Sequence, residues 1–262
     1  MNIIKVVAAA LFCLVMVLLP AACPSADTPE ITLNISAAAS LTDALTEINE
    51  LYTKEHSGIR VIPNFAASGT IQQQIENGAP CDVFISASST QMDNLERKGF
   101  LWPDTRHNLL INTLVLIVPA NSTLDIRSIS GLTADKVKRV AMGDPASVPA
   151  GDYAKKTLDF LGITAQVQPK LVLAGNVRQV LAYVETGDVD AGLVYVTDAL
   201  TTDKVRVIAS APQEINATIA YPVAIIAGSP NAPAAGDYID FLRSVAGETV
   251  FERNGFRIAA GE

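Results

Sequence analysis

Short apolar runs alternate along this chain with amphipathic runs of helical period, and that alternation restricts the fold more than any other feature. Residues 31–37 form a β-rich run. After it, Leu41, Ala44, Leu45, Ile48, Leu51 and Tyr52 recur at i, i+3, i+4, i+7, i+10 and i+11. That is one face of a helix, which His56-Ser57-Gly58 stops. A strand is expected at 60–65, with Pro63 marking an edge or a bulge. A helix follows at 70–77, ended by Gly78, then a buried strand at 83–87 and a helix at 90–98, ended by Gly99. Later strands are expected at 114–118, 139–142, 171–174 and 191–195, with helices at 151–161 and 177–185. Two more helices close the chain near 238–244 and 248–254. Strand, helix, strand at this rhythm predicts the α/β class, with mostly parallel sheets covered by helices on both faces.

The chain's 262 residues suffice for two lobes of ordinary size. With 49% apolar and 18% charged residues, it has ample material for a core and is not a disordered polymer. The apolar stretches 109–119 and 219–226 each suit a passage between lobes. Two passages divide the chain into a first lobe over 31–110, a second over 111–219 and a return segment over 220–262. Ahead of them, Lys5 precedes an unbroken apolar run of 14 residues, 6–19, short of the roughly 20 that span a bilayer. Small residues follow Pro20, so residues 1–22 read as a secretory signal. Its end, Leu19-Pro20-Ala21-Ala22-Cys23, resembles a bacterial lipoprotein signal and implies acylation of Cys23, although Pro20 stands where Leu is usual. Ordinary cleavage nearby, leaving a freely soluble exported protein, is the alternative. Residues 23–30, rich in Pro and acids, suit a tether. Without residues 1–22 the formal charge is −9, which disfavours a grip on nucleic acid. Two His and three Cys leave little for a protein-ligated metal. Cys81, at the start of an apolar run, reads as a small buried hydrophobe.

The strand-to-helix junctions carry the chemistry. They are Ala37-Ala38-Ala39-Ser40-Leu41-Thr42-Asp43, Ala66-Ala67-Ser68-Gly69-Thr70, Val148-Pro149-Ala150-Gly151-Asp152 and Ala174-Gly175-Asn176-Val177-Arg178. Small residues at each allow a ligand to approach the backbone. Each opens a helix whose first N–H groups lack intrahelical partners and carry about half a positive charge. In open α/β sheets such junctions gather where ligands sit, outside the carboxyl ends of the strands. Converging on one cleft, they would form an anion site of neutral donors. Taken singly, each has a structural explanation: Ser40 with Asp43 resembles a capping box, Ser68 suits a helix cap, and Pro149 with Gly151 shapes a turn. The case for function rests on the set and on the lack of Lys, Arg and His from three of the four. Arg178 is the exception, and its position after Val177 suits a side chain turned to solvent.

These junctions resemble the extracytoplasmic molybdate-binding proteins of ABC importers. The likeness lies in Ala38-Ala39-Ser40-Leu41-Thr42-Asp43-Ala44, Ser68-Gly69-Thr70 and Gly78-Ala79-Pro80-Cys81-Asp82-Val83-Phe84-Ile85-Ser86-Ala87. It continues in Gly143-Asp144-Pro145, Val148-Pro149-Ala150-Gly151-Asp152-Tyr153-Ala154-Lys155, Gly192-Leu193-Val194-Tyr195 and Asp198-Ala199. Cys81 stands where Ala is common, and Asn176 where an acid is common. The resemblance implies a two-lobed type II periplasmic-binding-protein fold, two mostly parallel sheets flanked by helices around a ligand cleft. It also implies that Ser40 and Ser68 hydroxyls, the Ala150 and Val177 amides and the Tyr195 hydroxyl hold the oxyanion. The implied ligand is molybdate, with tungstate beside it, and the implied partner is a membrane permease. No cofactor, enzymatic activity or nucleic-acid partner is implied, and the protein is expected to act as a monomer, exported and anchored through Cys23.

Three rivals compete with this expectation. A secreted serine hydrolase needs a base, but His56 and His107 sit in no recognisable triad and suit surface loops or caps, and no Gly-x-Ser-x-Gly elbow occurs. An effector domain of a transcription regulator is opposed by the export signal. A binding protein of the same fold for sulfate or another oxyanion is the serious alternative.

Overall fold

The computed structural model describes residues 30–260; the expected signal over 1–22, Cys23 and the rest of the tether before Glu30 lie outside the described residues. β1 (Ile31–Ala38) leads through a 3-10 turn (Ala39–Leu41) into α1 (Thr42–Glu55), then β2 (Ile59–Ala66), α2 (Ser68–Glu76), β3 (Val83–Ile85) and α3 (Ser89–Arg97). β4 (His107–Ile111) and β5 (Leu114–Pro119) come next, followed by β6 (Val140–Gly143), α4 (Pro149–Phe160), α5 (Thr164–Val167), β7 (Leu171–Ala174) and α6 (Val177–Glu185). The chain continues through β8 (Ala191–Tyr195), α7 (Val196–Ala199), β9 (Val205–Ser210), α8 (Gln213–Asn216) and β10 (Ala220–Ile225). It closes with α9 (Ala232–Leu242), α10 (Val245–Arg253) and β11 (Arg257–Ile258).

The strands form two sheets. One has six strands in the order β11-β4-β10-β3-β1-β2, the other five in the order β7-β6-β8-β5-β9. β1 pairs in parallel with β2 and β3, and β6 with β7 and β8, as the strand–helix–strand rhythm predicts. Both sheets are nonetheless mixed rather than mostly parallel. β10 runs antiparallel to β3 and β4, β11 to β4, and β5 to β8 and β9. The antiparallel members are the strands on either side of the two passages between sheets, together with the C-terminal β11, and none of them is set by a right-handed crossover helix.

The apolar stretch 109–119 is two strands, broken at Asn112 and Thr113: β4 lies in the six-stranded sheet and β5 in the five-stranded one. The chain returns between β9 and β10. Leu114, Val115, Leu116, Ile117 and Val118 are each at most 1% exposed, because β5 sits between β8 and β9 with both faces covered. Each such side chain contributes about 1.5–3 kcal/mol of burial. Pro63 falls on β2, an edge strand, where its missing N–H costs no ladder bond. Gly78 and Gly99 stop their helices with φ of 81° and 75°, the left-handed cap that glycine adopts freely. His107 opens β4 instead of lying in a loop, and β4, β9, β10 and β11 have no counterpart among the expected strands, β4 and β10 overlapping the stretches read as passages.

Candidate functional site

The carboxyl end of β1 leads directly into a 3-10 turn, those of β2 and β7 into α2 and α6 after one and two residues, and that of β6 into α4 after the loop 144–148. A single cavity collects all four starts. It is lined by Ala38, Ala39 and Ser40 after β1 and by Ala66, Ala67 and Ser68 after β2. From the other half come Val148, Pro149 and Ala150 at the start of α4 and Asn176 with Val177 at the start of α6, completed by Ala87 and Tyr195. Every predicted contact residue, Ser40, Ser68, Ala150, Val177 and Tyr195, therefore meets at one place. The cavity is small, with a volume of about 10 Å³. That space suits one small compact ion and not an organic ligand of drug size.

No charged side chain lines this cavity. The two serines are not caps. The residue preceding α1 is Leu41 and that preceding α2 is Ala67, and neither helix receives a side-chain cap. Ser40 Oγ lies 2.9 Å from the Tyr221 hydroxyl, and Ser68 Oγ accepts the Ala87 N–H at 3.0 Å. Both serines are at most 2% exposed. Tyr195 donates a long bond of 3.4 Å to the Ala87 carbonyl. Burial first, then the neighbouring Tyr221, Tyr153 and Asp198, holds the Tyr195 phenol well above its ordinary value, so it remains a neutral donor. Ala150 and Val177 occupy the first turns of α4 and α6, where backbone N–H groups precede the first intrahelical bond. Gly151 lets α4 start hard against β6, since a Cβ there would collide with the Gly143 carbonyl oxygen.

Arg178 does not turn to solvent. It reaches Asp43 Oδ2 at 2.6 Å through a guanidinium NH2, and its Nε stands 2.7 Å from Asp198 Oδ1. The Asp198 contact is an ion pair whose angles miss those of a hydrogen bond. Asp198 is fully buried and also accepts the Tyr195 N–H at 3.3 Å. Burial pushes its carboxyl up to about 6, with Arg178 and the Tyr195 amide pulling the other way. One cation shared between two carboxylates supplies no free positive charge to the cavity. It does fasten α6 to α1, across the two halves. A second fastening joins Gly69 N–H to the Ser147 carbonyl at 2.9 Å, so close that a Cβ on Gly69 would stand 2.6 Å from that oxygen.

Other candidates separate from the site. His56 stacks on Tyr52 with ring centroids 4.1 Å apart, and neither His56 nor His107 lines the cavity. Cys81 is half-buried and its thiol donates to the Val83 carbonyl at 3.3 Å. Burial pushes that thiol up to about 11, which makes it a poor nucleophile. Among the described residues no cluster of His, Cys, Asp or Glu is arranged to hold a metal ion, and no helix is long and apolar enough to cross a membrane. The residues that sequence reading missed are Tyr221 and Asn112. Tyr221 lies 181 positions from Ser40, and nothing local in Ala220-Tyr221-Pro222 marks it.

Known proteins share this architecture. Residues 33–257 match the family of bacterial extracellular solute-binding proteins. The chain is 40% identical over 238 residues to the molybdate-binding protein ModA of Escherichia coli, covering 89% of this chain and 91% of that one. It is 37% identical over 227 residues to ModA of Haemophilus influenzae, covering 86% and 89%. The solved periplasmic molybdate-binding protein of Azotobacter vinelandii superposes with a TM-score of 0.78 at 21% identity, covering 87% of this chain and all of that one. That superposition gives the fold, two mixed sheets flanked by helices in the type II periplasmic binding protein arrangement. Solute capture is the work of such proteins, and none of the comparisons points to an enzyme. The protein belongs to the family of bacterial extracellular solute-binding proteins.

Proposed function

We propose that this protein captures molybdate, and tungstate as well, and delivers it to the permease of an ABC importer. The observation that carries the reading is the convergence of four helix starts, two serine hydroxyls and the Tyr195 hydroxyl on a cavity the size of one small ion without a charged side chain. The names of the Escherichia coli and Haemophilus influenzae relatives support the choice of oxyanion. A buried dianion is costly to desolvate unless it is hydrogen-bonded throughout, and it repels nearby carboxylates. Ser40, Ser68, the Ala150 and Val177 amides and Tyr195 can each donate to it. A protonated phosphate also needs an acceptor for its own proton, and the two backbone amides offer none. Sulfate carries the same charge as molybdate, so size alone separates them.

In this reading residues 31–110 with 220–262 form one lobe and 111–219 the other, closing over the ion. All five contacts come from one chain, which suits a monomer. The sequence before residue 30 supports export, a cleaved signal over 1–22 and acylation of Cys23, placing the protein in the periplasm or on the outer face of the cytoplasmic membrane. A thermal-shift panel tests the ligand. Micromolar molybdate and tungstate are expected to raise the melting temperature while equal sulfate and phosphate do not. At one hundred times Kd the stabilisation is about 2.7 kcal/mol, easily seen. Equal shifts from sulfate would make the protein a general oxyanion binder.

A further inference from the structure

Behind Ser40 lies a buried polar chain that spans both passages between the sheets. Asn112 sits in the first passage, between β4 and β5. Tyr221 sits in β10, just after the second, at a register shift between Tyr221 and Pro222. Asn112 Nδ2 lies 3.1 Å from the Tyr221 hydroxyl and 2.9 Å from Thr197 Oγ1. The Tyr221 hydroxyl lies 2.9 Å from Ser40 Oγ. Asn112, Thr197, Tyr221 and Ser40 are all buried.

The bonds at Asn112 have a fixed direction. The Thr113 N–H donates to Asn112 Oδ1 at 2.8 Å. A backbone N–H only donates, so that atom is the amide oxygen and the nitrogen faces Tyr221 and Thr197. An amide nitrogen also only donates, so the Tyr221 oxygen accepts from it. The Tyr221 hydroxyl keeps one hydrogen, and Ser40 Oγ, 2.9 Å away, stands in position to accept it. Burial, the largest influence on Tyr221, holds the phenol far above its ordinary value and keeps that hydrogen in place. Once it accepts that hydrogen, Ser40 Oγ has its own hydrogen to give to the cavity it lines. Ser68 is treated alike by a different device, the Ala87 N–H at 3.0 Å.

We propose that Tyr221, held by Asn112, is a positioning residue that commits the Ser40 hydroxyl to donating into the cavity and so reserves that contact for a fully deprotonated oxyanion. The inference rests on the reading of the cavity as the molybdate site. Bonds in such a chain polarise one another, so the Ser40 donor is strengthened as well as aimed.

A double-mutant cycle by calorimetric titration with molybdate tests it, using wild type, Tyr221→Phe, Ser40→Ala and the double variant. Tyr221→Phe is expected to raise Kd by about three- to tenfold, the worth of one aimed hydrogen bond. In the Ser40→Ala background the same change is expected to alter Kd by less than twofold, since the hydroxyl it aims is gone. A role in packing alone would lower the melting temperature of the unliganded protein and weaken binding equally in both backgrounds, and that result would overturn the inference. So would a Kd for Tyr221→Phe within twofold of wild type. Asn112→Ala removes the donor to Tyr221 and carries the same expectation in a second cycle should Tyr221→Phe not fold. Absence of molybdate binding by wild type would overturn the functional reading and this inference together, whereas the other two results overturn the inference alone.

Discussion

Ser40 and Ser68 occupy the positions where a helix cap is the ordinary use of a serine, and neither caps its helix. The Ser68 oxygen instead accepts the Ala87 amide, which leaves its hydrogen for the cavity, and the Ser40 hydroxyl is hydrogen-bonded to Tyr221 at 2.9 Å. In the sequence a cap is the readier explanation of each serine taken singly, and only the set of junctions argues for binding, because the partner of Ser40 lies 181 positions away. The charge pattern was more legible. Uncharged small residues at the junctions are a local property of the chain, and the cavity is indeed without a charged lining. If the site works through neutral donors, a carboxylate at Ser68 destroys it. Ser68→Ala should weaken molybdate binding by about 1.5–3 kcal/mol, the worth of a hydrogen bond to a charged group. Ser68→Asp should abolish measurable binding, because a unit charge at about 4 Å repels another by about 4 kcal/mol at an effective dielectric of 20, and the dianion doubles this. Calorimetry on both variants, with folding checked by circular dichroism, decides. Binding by Ser68→Asp within tenfold of wild type would place the ligand elsewhere.

Helices and central strands were legible in outline because their apolar periods are strong. α6, for example, begins at the predicted residue and ends at it. Of the strands absent from that outline, β4 and β10 overlap the stretches read as passages, while β9 and β11 are short or exposed on one face and pair with partners distant in sequence. Arg178 escaped for the same reason: its surroundings include Asp43, 135 positions away. The junction of α6 and α7 carries a pH signature. Asp198 has an ordinary value of 3.8 and is pushed up to about 6 by burial, against the pull of Arg178. Between those values the folded protein holds more proton than the unfolded chain, so this carboxyl's contribution is complete below the lower one. It is lost as pH rises to about 6 and is constant above it. The change is on the order of 2–3 kcal/mol. The melting temperature of Asp198→Asn minus that of wild type should therefore rise from pH 4 to pH 6 and stay level from pH 7 to pH 9. A difference independent of pH from 4 to 6 would mean that Asp198 stays ionised in the folded state throughout.

At the scale of the molecule, two mixed sheets are joined by passages at Asn112–Thr113 and between β9 and β10, and the cavity is lined from both halves. Gly69 to Ser147 and Arg178 to Asp43 bind the halves together around it. The α/β class followed from the rhythm of the sequence, but the antiparallel members did not, since strand direction after a passage is not a local property. The central claim is that one small oxyanion is held by donors from all four helix starts and Tyr195. Its most direct test is the molybdenum anomalous signal from crystals of the protein grown with molybdate. One peak is expected inside the cavity, with oxygens at hydrogen-bond distance, about 2.7–3.2 Å, from Ser40 Oγ, Ser68 Oγ, the Ala150 and Val177 amides and the Tyr195 hydroxyl. A peak elsewhere on the protein, or one in the cavity touching only one half, would contradict the account.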